Sequence, residues 1–230
     1  MEAASRAGRI IGVFIIIQMI GSGMVNFVME GPLTDPPGGF LVNAAPHSRQ
    51  IAAAVLLGMV TEAFWVGIAV TAFPLFRQRS QRMALWLVAL TVVSLAVAVV
   101  ENVSVMSMVS LSEAYTKATA VEREQFQTMR VVVESMRNWP HFISRIFVGS
   151  AIFSFYSVLY RFALIPRVLA GFGLIAAVLM VTAVTMPLFG HKVVFPMLAP
   201  MGLSQLVLAV WLITKGFRGH PGFGLEPSDS

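Results

Sequence analysis

Apolar positions come in six long runs. Residues 10–29, 51–76, 83–108, 139–160, 166–189 and 197–213 each hold few charges. Crossing the hydrocarbon of a bilayer takes about 20 helical residues, so each run predicts a transmembrane helix. The first is longer than a signal-peptide core. No small-x-small cleavage site follows at "NFVMEGP", so it reads as an uncleaved span. Between the third and fourth runs the pattern changes. In "VSLSEAYTKATAVEREQFQTMRVVVESM", Phe126, Met129, Val133 and Met136 recur at i, i+3, i+7, i+10, and charges occupy much of the other side. That spacing predicts an amphipathic helix over about residues 118–136, lying on the outer membrane surface or capping the bundle. Asn138 then reads as an N-cap, Trp139 as an interfacial anchor and Pro140 as a first-turn proline.

The first connection, "EGPLTDPPGGFLVNAAPHS", is rich in Pro and Gly and reads as an irregular lid or turn structure. No internal repeat is evident. The expected fold is an all-α integral membrane protein: a six-transmembrane-helix bundle with an outer amphipathic helix, formed by residues 1–218. Residues 219–230 are expected to be a flexible cytoplasmic tail.

Composition sharpens this. Of 230 residues, 57% are hydrophobic and 12% charged, where soluble domains carry about 25% charged residues. There are no cysteines, which excludes disulfides, thiolate chemistry and iron–sulfur ligation. The net charge of +5 does not point to nucleic acid, because the basic residues punctuate apolar runs and form no single patch. The lipid bilayer is the expected partner. If six helices alternate, Arg6, Arg9, Arg77, Arg79, Arg82, Arg161, Arg167, Lys215 and Arg218 share one side. The other side has Arg49, Lys117, Arg123, Arg130, Arg137 and Lys192 over longer stretches. The positive-inside rule therefore places both termini in the cytoplasm.

The candidate chemistry lies inside the apolar runs. His141, Arg145 and Gly149 share a helical face, as do Gln18, Ser22 and Asn26. So do Ala54, Gly58 and Glu62. Ser94, Glu101 and Ser104 share another, with Asn102 beside them, and Met201 lies one turn from Gln205. An arginine within a span faces a partner or a wet cavity. Glu101 lies seven residues before the end of the third run, and Arg145 six residues after the start of the fourth. Both should sit roughly 10 Å below the outer boundary. Glu101 is therefore the first-choice partner of Arg145 and Glu62 the second, with His141 one turn nearer the mouth.

The candidate ligand-binding set is Arg145, His141, Glu101, Glu62, Asn102, Asn26, Gln18 and Gln205. Three readings stand: a crevice that binds or helps transport a small polar or amphipathic ligand, a structural or accessory protein whose polar cluster fixes helix packing, and an intramembrane enzyme acting on a lipid-like substrate. No cofactor is expected. His47, His141, His191, Met197 and Met201 could be imagined as copper or haem ligands, yet no two histidines share ligand spacing on a helix. No hydrolase, metalloprotease or nucleotide motif is visible.

Two stretches carry a family resemblance. "FYSVLYRFALIPRVLAGFGLIAAVL" and "LAPMGLSQLVLAVWLITKGFRG" resemble the bacterial membrane family known as domain of unknown function 4386. The matching positions are Tyr160, Arg161, Leu164, Ile165, Pro166 and Arg167 in the turn after the fourth span. In the last span they are Ala209, Val210, Trp211, Leu212, Lys215 and Gly216. The likeness is strong over the last third of the chain and rests on helix count elsewhere. It implies a six-helix bundle in a bacterial plasma membrane and no particular activity. Six residues before the tryptophan the family often has glutamate; this chain has Gln205, which cannot carry a proton as a carboxylate does.

Overall fold

The computed structural model describes residues 2–34 and 38–218. Among the described residues, six helices are long and apolar enough to cross a membrane. In chain order they are α1 (Glu2–Met24, continued by a π-helical turn Val25–Met29), α4 (Ser48–Arg77), α5 (Gln81–Lys117), α6 (Ala120–Arg161), α7 (Arg167–Thr185) and α8 (Ala199–Lys215). Two short helices, α2 (Gly31–Thr34) and α3 (Phe40–Asn43), lie between α1 and α4. The tail expected to be flexible, residues 219–230, lies outside the described residues.

The helices form a ring. Each of α4 to α8 packs on the helix before or after it, and α8 closes on α1. The start of α1, the end of α8 and the α4–α5 and α6–α7 turns share one end, here the terminal end. The α5–α6 turn marks the hairpin end. Small residues set the close approaches. A Cβ on Gly12 would meet the Ala209 carbonyl at 2.8 Å, and one on Gly173 would meet the Tyr156 ring at 2.2 Å. The absent side chains let backbones touch, as membrane packing requires. An apolar core drawn from all six helices fills the terminal-end half, with Ile11, Ala69, Leu159, Ala177 and Leu212 fully or almost fully buried. Arg218 N–H donates to the Leu164 carbonyl at 2.8 Å and ties the end of α8 to the α6–α7 turn.

At the hairpin end the structure departs from expectation twice. First, residues 120–136 are helical but not a separate surface helix. Only Ala118 and Thr119 interrupt α5 and α6. Thr119 N–H donates to Glu122 Oε2 at 2.7 Å in a capping box that starts α6. From there α6 runs 42 residues without a break, past Asn138 and with Pro140 in its interior, a length of about 63 Å. Asn138 is therefore not an N-cap. Proline looks the same in a first turn and in a continuous helix, and the sequence pattern could not separate the two. Phe126 and Val133 pack inward, whereas Met129 and Met136 stay exposed.

Second, the described part of the first connection is turns and two one-turn helices, and they are packed into a core. α3 packs on α5, and Leu33, Phe40, Leu41 and Ala44 join Val105, Met108 and Val109 in a second, smaller core. Ser112 Oγ pins it by donating to the Leu41 carbonyl at 2.9 Å and accepting from Ala45 N–H at 2.8 Å.

A buried ion-pair ladder as the candidate functional site

One face of α6 carries Arg137, His141 and Arg145 at i, i+4, i+8. Side chains at that spacing stack one above another. Each meets a carboxylate from a different element. Arg137 Nη2 lies 2.5 Å from Oε2 of Glu30, just past the π-helical turn. His141 Nδ1 lies 2.8 Å from Oε1 of Glu101 on α5. Arg145 Nη1 lies 2.6 Å from Oε1 of Glu62 on α4. Glu30, Glu62 and Glu101 are all buried, at 7%, 5% and 7% exposure. Burial of this kind removes water's screening, so a charge left without its partner is strongly unfavourable.

The first-choice pairing of Arg145 with Glu101 is thus corrected to Glu62, the second choice, and Glu101 takes His141. The cause is hairpin register. The tight turn at Ala118–Thr119 sets α5 against α6 so that Ser94 Oγ donates to the Ser144 carbonyl at 3.2 Å and Glu101 meets His141. Reading residues 109–136 as a surface segment ends the third span and begins the fourth at a common boundary, one helical turn out of register. Glu62 reaches Arg145 because Ala54, fully buried, and Gly58 bring α4 close to its neighbours. A Cβ on Gly58 would lie 3.7 Å from Asn102 Oδ1.

Between the rungs lies a cavity of about 20 Å³ bordered by Asn26, Thr61, Glu62, Glu101, Asn102 and Arg145, among others. It has about the volume of one water molecule. Glu62 Oε2 is buried with no hydrogen-bond partner among the described residues. Of the expected site residues, Arg145, His141, Glu101, Glu62, Asn102 and Asn26 come together here. Asn26 and Asn102 each donate to a carbonyl one turn back in their own helix, Ser22 and Ala98, at 2.8 Å. Gln18 donates to Ser22 Oγ at 3.0 Å within α1 and does not border the cavity. Gln205 is buried on α8, away from the ladder. Its neighbour Ser204 bonds Tyr156 Oη at 2.7 Å in the apolar half.

Two ladder residues, Glu30 and Arg137, were absent from the expected set. Arg137 extends the His141–Arg145 stripe by one turn, and that spacing was visible. Placing the helix start at Asn138 hid it.

A second space opens sideways. A groove of about 830 Å³ runs along α5 between α4 and the first part of α6, lined by Val55, Val99, Val103, Met106, Phe126 and Met129, with Asn102 at its inner wall. Asn102 thus separates the groove from the ladder cavity. His47 bonds the Asn43 carbonyl, and His191 is exposed beyond α7. Among the described residues no group of three His, Cys, Asp or Glu side chains could hold a metal ion.

Six apolar helices closed in a ring around a charged ladder define a multi-pass α-helical membrane protein. Residues 10–216 match the family described as Domain of unknown function (DUF4386), and the chain belongs to that family. No curated protein and no solved structure matches the chain.

Proposed function

We propose that this is a structural or accessory membrane protein in which the ladder clamps α6 to the elements that precede it. The observation that carries this reading is that each of the three stacked α6 side chains already has its own carboxylate, within 2.5–2.8 Å. The space beside them holds about one water and not a solute. Arg145 could grip an anionic ligand only by releasing Glu62. Arg145→Ala should sharply reduce the yield of monodisperse protein in detergent. Arg145→Met with Glu62→Leu should restore much of it, because the buried charge then disappears with its partner. Well-folded Arg145→Ala protein would sink the clamp.

A second reading rests on the lateral groove. An amphipathic, lipid-like molecule would lie with its tail along Val99, Val103 and Met106 and its polar group at Asn102. Val103→Trp should fill the groove and abolish co-purification of such a molecule in native mass spectrometry. Equal lipid retention in this variant would remove the reading.

We also infer a bacterial plasma membrane with cytoplasmic termini. Support comes from Arg77, Arg79, Arg82, Arg161 and Arg167 in the two short turns of the terminal end. Impermeant thiol reagents on whole cells should label Lys117→Cys and spare Arg79→Cys, and the reverse pattern would invert the topology.

A further inference from the structure

The rungs of the ladder are not alike. Arg137 and Arg145 carry charges that do not titrate in proteins, and they balance Glu30 and Glu62. The middle rung has no fixed cation. We propose that His141 and Glu101 form a proton-binding site that takes up and releases one proton at the hairpin-end side of the bundle.

The charge count carries the argument. Facing this rung are Glu30 from the end of α1, Glu62 from α4, Glu101 from α5, and Arg137 and Arg145 from α6 itself. That is three carboxylates against two guanidinium groups. The cluster is neutral only when the middle pair holds a proton. The remaining close neighbours, Asn102, Thr61, Ser144 and the Phe142 ring packed edge-on to the imidazole at 5.5 Å, supply no charge.

Geometry adds two further points. Glu30, Glu62 and Glu101 all border the one-water cavity, and Glu62 Oε2 there has no partner among the described residues. The proton is therefore felt by the whole cluster. The imidazole is the more accessible partner: the His141 side chain is 21% exposed and that of Glu101 only 9%. Protons can exchange at the histidine while the carboxylate stays buried. This site goes beyond the clamp: the rung binds its proton whether or not the ladder is what holds the bundle together.

The test uses full-length protein in lipid nanodiscs, labelled with nitrogen-15 histidine, from about pH 5 to about pH 8, the range in which imidazole switches. The His141 signal is the one lost in His141→Gln. The expected result is an imidazolium signature in the acidic part of the range that is lost as pH rises, with the melting temperature falling alongside. The double variant Glu101→Gln with His141→Gln keeps the other rungs balanced, and its melting temperature should not follow that titration. A His141 signature that stays unchanged throughout, charged or neutral, overturns the proposal. So does a double variant whose melting temperature tracks pH as the wild type does. Failure of the clamp would show instead as a well-folded Arg145→Ala protein, which leaves the His141 spectrum unaffected as evidence.

Discussion

The two halves of the bundle are held together by opposite means. In the terminal-end half, α1 meets α8 at Gly12 and Ala209, and α7 meets α6 at Gly173, with Tyr156 and Ser204 as the side-chain hydrogen bond between helices. In the hairpin-end half, α6 meets three other elements through charges. Apolar packing gives many weak attractions that depend on shape. Ion pairs give a few contacts that depend on having the right partner. Lipid tails are as apolar as leucine, so neither half gains from water exclusion as a soluble core does. The contrast suits a protein that needs a rigid base and a top whose neighbours are specified one by one.

That contrast can be broken at three depths. The largest effect is expected from Gly173→Leu. Even its Cβ would overlap the Tyr156 ring, so the substitution should cost roughly 3 kcal/mol and separate α6 from α7. Reversible unfolding in mixed micelles would measure it, and a stability equal to wild type would show that the apolar half is not shape-limited. A smaller loss is expected from Ser204→Ala, which leaves the buried Tyr156 hydroxyl without its 2.7 Å partner. The cost should be about 1–2 kcal/mol by the same measurement. Tyr156→Phe combined with Ser204→Ala should recover part of it, and no recovery would mean that the hydroxyl finds another partner. The smallest effect belongs to Thr119→Ala. Removing this cap should cost about 1 kcal/mol. Hydrogen exchange should quicken in the first turn of α6 and not at the ladder. Faster exchange at residues 141–145 would show that the cap and the ladder open as one unit.

Much of the fold was legible in the chain because a bilayer imposes a simple rule, long apolar runs, and six of them were plain. The charged stripe of His141 and Arg145 was legible for the same reason, as was the pair of carboxylates that could answer it. What could not be read was which carboxylate meets which cation. That depends on the α5–α6 register, and the register depends on a two-residue turn in a stretch whose amphipathic pattern fits a surface helix equally well. Pro140 made the misreading easy, since proline favours a helix start but does not require one. Gln18 and Gln205 show the opposite limit. Polarity within a span marks a residue as buried among helices but does not say which cluster it joins.

The ladder also imposes an order on how the protein is made. Glu62 and Arg145 stand 83 positions apart. At a synthesis rate of roughly 5–20 residues per second, Glu62 waits about ten seconds for its partner to leave the ribosome. Glu101 waits for His141 over a further 40 positions of its own. During that interval α4 and α5 must be held with bare carboxylates beside lipid, where each charge near a helix centre costs about 3 kcal/mol on insertion scales. The fourth spanning helix is thus the keystone of assembly. Until it arrives the earlier helices are held only provisionally, and a chain truncated before residue 137 keeps all three carboxylates and lacks every cation that answers them.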